Sequence, residues 1–180
     1  MNKKECRVAV MMSTYNGELY IKEQIDSIFK QKDVSIDLYI RDDGSSDKTL
    51  EIISEQKKIY NSVFILNNDD NENLGPAKSF MTIVNSVGDN YDYYAFSDQD
   101  DIWMEDKIIS AISLLEIHDI EKPCIYGGSK TILTDSESLN PDYVDISMDF
   151  YSTIIRNKVA GCTMVFNKTL KMLINKYFPN

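Results

Sequence analysis

YDYYAFS (residues 91–97) runs directly into SDQDDIW (97–103), and the chain changes character at that junction. The first stretch is an apolar, aromatic-rich run of strand length. The second sets three carboxylates, Asp98, Asp100 and Asp101, within four residues, with Trp103 two places further on. The chain already carries a formal charge of −10. Further negative charge at one point must be solvated by water or balanced by something cationic.

The same change from apolar strand to polar end recurs upstream. RVAVMMS (7–13) suits a strand buried on both faces. After Asn16-Gly17, Ile21, Ile25, Ile28 and Phe29 recur at helical spacing. IDLYIRDD (36–43) is a second strand stopped by Gly44, and Ser45, Ser46 and Asp47 offer N-cap oxygens to a helix carrying Leu50, Ile53 and Tyr60. VFIL (63–66) reads as a third strand. Gly75-Pro76 then opens a helix with Ala77, Phe80, Met81, Val84 and Val87 as its buried stripe. Beyond the acidic cluster, Ile108, Ala111, Ile112 and Leu115 mark another helix. After Pro123 the order loosens: CIYGGSKTIL reads as a strand with a Gly-Gly kink, 135–153 is acidic and irregular, and CTMVF (162–166) is a last strand before a terminal helix.

Strand–helix alternation at this rhythm predicts an α/β fold, a mostly parallel sheet with helices on both faces. The 180 residues suffice for one domain, and 43% hydrophobic with 27% charged is ordinary globular composition. The acidic balance argues against a nucleic-acid partner, which calls for a basic face. It leaves phosphate ligands open, because a bound divalent cation reverses the local field. Cys6, Cys124 and Cys162 are odd in number and lack a CxxC spacing, which reads as reduced thiols in a cytoplasmic protein. No apolar run approaches the roughly 18 residues of a membrane span, and the first seven residues lack a signal-peptide pattern.

Open parallel sheets bind ligands beyond the carboxyl ends of their strands. STYNGE (13–18), RDDGSSD (41–47) and SDQDD (97–101) all fall at such ends. Neither GxGxxG nor GxxxxGK[ST] is present, so the usual glycine-rich phosphate cradles are missing. A diphosphate can instead be held through a metal. Asp98 and Asp100 offer hard oxygens for Mg²⁺ or Mn²⁺, which would act as a Lewis acid on a departing phosphate. Asp43, at another strand end, can accept hydrogen bonds from a base or ribose.

STYNGE, RDDGSSDKT, NENLG and FSDQDDIW, in this order and spacing, resemble the family 2 glycosyltransferases with the GT-A fold. SDQDDIW with GCTMVFN (161–167) is similar to their bacterial, rhamnosyltransferase-like branch. The resemblance is strong over 7–118 and looser over 155–175. It implies a nucleotide-sugar-binding half (1–120) and a partial acceptor-side half (121–180) in one GT-A domain. It implies that Thr14, Tyr15, Asn16 and Glu18 line the nucleotide pocket, that Asp43 recognises the base with Gly44 allowing close approach, and that Asn73 and Gly75 border the donor. Lys78 stands nearest to a family arginine that meets phosphate. Asp98 and Asp100 would be the DxD pair for the metal and the sugar or ribose. Asp101 would be a catalytic-site carboxylate facing sugar or acceptor, or else a helix cap before IWMEDK, and Trp103 would shape the acceptor side or sit in the core.

The resemblance further implies an inverting, metal-dependent transfer from a UDP- or dTDP-sugar to a hydroxyl of a saccharide or lipid-linked saccharide. The setting would be cell-surface polysaccharide synthesis, in the cytoplasm or peripherally at the inner face of the membrane. The family's general base falls past the strand and helix expected over 162–178, whereas the sequence ends at Pro179-Asn180. Asp142, Asp145 and Asp149 are the in-chain carboxylates that would have to replace it. A non-catalytic nucleotide-sugar-binding domain is therefore the alternative reading. A phosphotransfer receiver is disfavoured, because VFIL is followed by Asn67 rather than Asp.

Overall fold

β1 (Cys6–Thr14) is buried along most of its length, and each of its faces has its own helical cover. In the computed structural model, which describes residues 5–66, 73–133, 138–139 and 159–178, it lies near the middle of a six-stranded sheet. Around it the chain runs α1 (Ile21–Ile28), β2 (Val34–Asp42), α2 (Thr49–Ile59), β3 (Val63–Ile65), α3 (Pro76–Ser86), β4 (Tyr93–Ser97) and α4 (Lys107–Leu115). Then come β5 (Ile125–Gly127), β6 (Ile132–Leu133), β7 (Ser138–Leu139), β8 (Met164–Asn167) and α5 (Lys168–Tyr177).

The sheet order is β3-β2-β1-β4-β8-β5, with β1 to β4 mutually parallel and β8 antiparallel to both its neighbours. β6 and β7 pair separately as a two-stranded ribbon. Because side chains alternate along a strand, Val8, Val10 and Met12 pack with Ile21, Ile25, Ile28, Ile53, Ile108 and Ile112 on one face. Ala9 and Met11 pack with Ile83, Val84, Tyr94 and Phe166 on the other. Burial on both faces explains the near-continuous apolar run of β1.

The chain winds outward from β1 to β3, and α3 then carries it back so that β4 pairs with the opposite edge of β1. The β1/β4 boundary is thus the switch point at which open α/β sheets leave a crevice. In register, Thr14 stands beside Asp42 and Met12 beside Ser97, so the polar ends of β1, β2 and β4 meet there.

Several expectations shift by a turn or a face. On α3 the buried positions include Ser79, Ile83 and Val84, while Ala77 is exposed, because a polar network below claims Ser79. On α2 Ile53 is buried but Leu50 is exposed. CTMVF opens as a 3-10 turn (Gly161–Thr163) before β8 begins. β5 ends at Gly127, the first glycine of the expected kink. Trp103 is core rather than acceptor wall: it is 4% exposed, and its backbone N–H donates to Ser27 Oγ at 3.0 Å. Residues 135–137 and 140–153, with Asp142, Asp145 and Asp149, lie outside the described residues.

Candidate functional site

The consecutive carboxylates that end β2 point to different tasks. Asp42 serves the turn: it accepts from Thr14 Oγ1 (2.9 Å), Gly44 N (3.1 Å), Ser45 N (2.8 Å) and Ser45 Oγ (2.5 Å). Gly44 sits at φ 88°, a left-handed conformation that favours glycine. Asp43 lies on the same side of the strand as Arg41 and accepts from its guanidinium, from Leu74 N (2.9 Å) and from Gly75 N (2.9 Å). Gly75 also takes a left-handed φ of 74°, and its N–H reaches Asn73 Oδ1 at 3.1 Å. Burial alone would raise the Asp43 carboxyl, but the Arg41 hydrogen bond and those two N–H groups hold it below the usual carboxylate value.

The loop after β1 is fastened from two sides. Asn16, at φ 48°, accepts Ser46 N at 2.8 Å, and Glu18 accepts Lys48 N at 2.9 Å. From the opposite side, Gln99 brackets Tyr15: its Oε1 accepts Tyr15 N (2.9 Å) and its Nε2 donates to Tyr15 O (3.0 Å). The residue between the two DxD aspartates thus clamps the acidic turn to the β1 loop. Gly17 leaves the room for that clamp, since a Cβ there would collide with the Gln99 amide.

Between these loops opens a cleft of about 500 Å³, lined by Ser13, Thr14, Tyr15, Asp43, Asn73, Gly75, Pro76, Phe80, Asp98, Gln99 and Asp100. Seven residues singled out from the sequence therefore share one cavity: Thr14, Tyr15, Asp43, Asn73, Gly75, Asp98 and Asp100. Asn16, Glu18, Gly44 and Lys78 are outside its lining; the first three make the hydrogen bonds that shape it, and Lys78 is exposed on α3. Arg41, Ser79, Gln99 and Phe80 carry parts of the site that motif reading passed over. A basic residue directly following the strand run IDLYI (36–40) was the available signal for Arg41.

Asp101 stands just outside this lining. Its carboxylate, that of Asp98 and the thiol of Cys162 place one ligand atom each within 4.8 Å of one another. The group is anionic. Burial first, and then the charges of Asp101 and Asp100, raise the Asp98 carboxyl above its ordinary value, although Cys162 donates to it. Burial beside these carboxylates pushes the Cys162 thiol up to about 12. Lys107 lies behind them, its Nζ donating to Cys162 O at 2.6 Å and resting 3.6 Å from the Trp103 ring centroid. Burial brings its ammonium down to about 8. A divalent cation fits this donor set, since hard carboxylate oxygens predominate and the negative charge is poorly compensated.

A family model, Glycosyl transferase family 2, matches residues 9–173. The chain belongs to this family. The family 2 domain is 37% identical over 172 residues to the dTDP-rhamnosyl transferase RfbG of Shigella flexneri, covering 94% of the chain and 58% of that protein. It is 28% identical to an Escherichia coli UDP-Glc:alpha-D-GlcNAc-diphosphoundecaprenol beta-1,3-glucosyltransferase, WfgD, over 91% of the chain and 61% of that protein. The chain thus spans about three-fifths of the length of these relatives. Among solved structures, the mannosyltransferase PcManGT from Pyrobaculum calidifontis, in complex with GDP-Man and Mn2+, superposes with a TM-score of 0.67 at 17% identity. That match covers 95% of the chain and 46% of the mannosyltransferase, and it establishes the GT-A fold.

Proposed function

We propose that this domain transfers a sugar, with inversion, from a UDP- or dTDP-sugar to a hydroxyl acceptor, with a divalent cation held at the acidic turn. The observation that carries the reading is the charge of the cleft. Three carboxylates line it, Asp43, Asp98 and Asp100, and no basic side chain does so among the described residues. A diphosphate in such a cleft meets repulsion that a bound cation would reverse.

In this reading Asp98 and Asp100 hold the cation, with Asp101 and Cys162 beside them. A bound Mn²⁺ or Mg²⁺ supplies Lewis-acid neutralisation of the departing diphosphate. Asp43 accepts from an N–H of the base, and Tyr15, half-exposed at the cleft mouth, offers an aromatic face to the nucleoside. Thr14, Asn73 and Gly75 border the donor; Asn16, Glu18 and Gly44 keep the loops in place around it, and Lys78 can approach a phosphate from α3. Asp101 faces the sugar and acceptor side. The acceptor hydroxyl oxygen attacks the anomeric carbon opposite the diphosphate, its proton passes to a base on the acceptor side, the bond to the leaving diphosphate breaks, and configuration inverts. The relatives that transfer rhamnose, or glucose to a diphosphoundecaprenol-linked sugar, support a saccharide or lipid-linked saccharide acceptor and a role in bacterial surface polysaccharide synthesis. No described helix is long and apolar enough to cross a membrane.

Release of nucleoside diphosphate from dTDP-rhamnose and UDP-glucose, followed chromatographically with Mn²⁺, tests the reading. Turnover that disappears in Asp101→Asn is expected; Mn²⁺-dependent nucleotide binding without turnover would favour the non-catalytic alternative. A second outcome follows from the Gln99 clamp. Gly17→Val displaces the Gln99 amide and forfeits its two hydrogen bonds to Tyr15. At about 1 kcal/mol net for such bonds, UDP affinity in Mn²⁺ should fall roughly tenfold; an affinity within twofold of wild type would show that the clamp is dispensable.

A further inference from the structure

Arg41 is a buried cation behind Asp43, 2% exposed and outside the cleft lining, near the end of β2. Burying a guanidinium is costly unless it is paired and hydrogen-bonded. Here the pairing is with Asp43, whose side chain is itself 5% exposed. The same guanidinium nitrogen donates to Ser79 Oγ at 2.9 Å, and Ser79 Oγ lies 2.6 Å from Ser13 Oγ, a residue of the cleft wall. One network therefore joins the end of β1, the end of β2, the first turns of α3 and the Leu74–Gly75 backbone.

The carboxylate at its centre is almost fully engaged. An ionised carboxylate has about four acceptor positions and no donor. Asp43 spends two on Oδ1, to Arg41 and Leu74 N, and one on Oδ2, to Gly75 N. What remains is one acceptor position on Oδ2 of a residue that lines the cleft. Such a position matches a base whose edge presents an N–H, as the imide N3–H of uracil and thymine does. At the ring-nitrogen position it opposes cytosine, whose N3 is itself an acceptor and whose donor on that edge is the N4 amino group, displaced from N3.

We propose that Arg41 is a positioning residue for base selection: clamped to Ser79, it fixes Asp43 as an oriented, acceptor-only carboxylate, and so sets the preference for uracil or thymine over cytosine. The inference rests on the reading that Asp43 meets the base. Without Arg41 the carboxylate keeps the Leu74 and Gly75 N–H groups but loses its only charged partner among the described residues. It can then rotate or take up a proton, and a protonated carboxyl donates to cytosine N3 as readily as the ionised form accepts from uracil.

The test is calorimetric titration of the 180-residue chain, wild type, Arg41→Gln, Arg41→Lys and Asp43→Asn, with UDP, CDP, dTDP, dCDP and inorganic diphosphate in Mn²⁺. Wild type is expected to prefer UDP over CDP and dTDP over dCDP by about tenfold or more. Arg41→Gln should bring both ratios within about threefold while diphosphate affinity stays within about twofold. Arg41→Lys, which keeps the charge but not the planar donor geometry, should fall between, and it supplies the readout if the glutamine variant does not fold. Unchanged ratios in both Arg41 variants, or a parallel loss of UDP and diphosphate, would reduce Arg41 to a structural residue and overturn the proposal. If Asp43→Asn leaves the ratios as in wild type, it is the assignment of Asp43 to the base that fails. If Asp43→Asn flattens them and neither Arg41 variant does, that assignment stands and the proposal for Arg41 falls.

Discussion

Asp98→Asn is expected to cut Mn²⁺-supported affinity for UDP or dTDP on the order of a hundredfold, the share of binding that a cation at the diphosphate supplies. Asp98 is the one carboxylate that both lines the cleft and belongs to the cluster with Asp101 and Cys162. Its carboxyl is raised by burial and by the neighbouring Asp101 and Asp100 charges, so the metal-free turn carries unrelieved repulsion. The same substitution should therefore leave thermal stability without Mn²⁺ unchanged or slightly higher. A fall in both affinity and melting temperature would instead mark Asp98 as a structural residue. Asp100→Asn, at the exposed side of the turn, should show the same loss of metal-dependent affinity with no effect on stability.

Asp42→Ala is expected to act on folding. Its buried carboxylate accepts from Thr14 Oγ1, Gly44 N and both Ser45 donors. Alanine would leave those groups unsatisfied, at roughly 1–3 kcal/mol for a buried one, so a total of about 3 kcal/mol is expected. At about 2–4 °C per kcal/mol for a domain of this size, the melting temperature should drop on the order of 10 °C. Thermal and urea denaturation would check this, and a loss under about 1 kcal/mol would contradict the assigned role. Neighbouring aspartates of the same motif thus separate by assay: Asp42 in denaturation, Asp43 in nucleotide titration.

The α/β architecture was legible because hydrophobic period and buried strands leave a strong local trace. RVAVMMS reads as a doubly covered strand and proved to be one, with its even and odd residues serving separate cores. The polar strand ends likewise point Thr14, Asp43 and Asp98 to one rim, and the three line one cleft. Less visible were features decided by contacts distant in sequence. Ser79 looks like a solvent-facing residue of α3, yet Arg41, 38 positions earlier, buries it. Gln99 looks like a spacer between aspartates, yet it holds Tyr15, 84 residues away. Trp103 follows an acidic turn and suggests a binding wall, but Ser27 on α1 and Lys107 on α4 enclose it. The antiparallel direction of β8 between β4 and β5 depends on chain reversal, which strand composition does not encode.

In the proposed function the anionic cleft holds a nucleoside diphosphate through a divalent cation. Titration of UDP, dTDP and GDP into the chain, with Mn²⁺ and with chelator, tests it most directly. The account predicts saturable binding of UDP or dTDP in Mn²⁺ that weakens at least about tenfold in chelator. Equal affinity with and without Mn²⁺, or no binding of any of the three nucleotides, would contradict it.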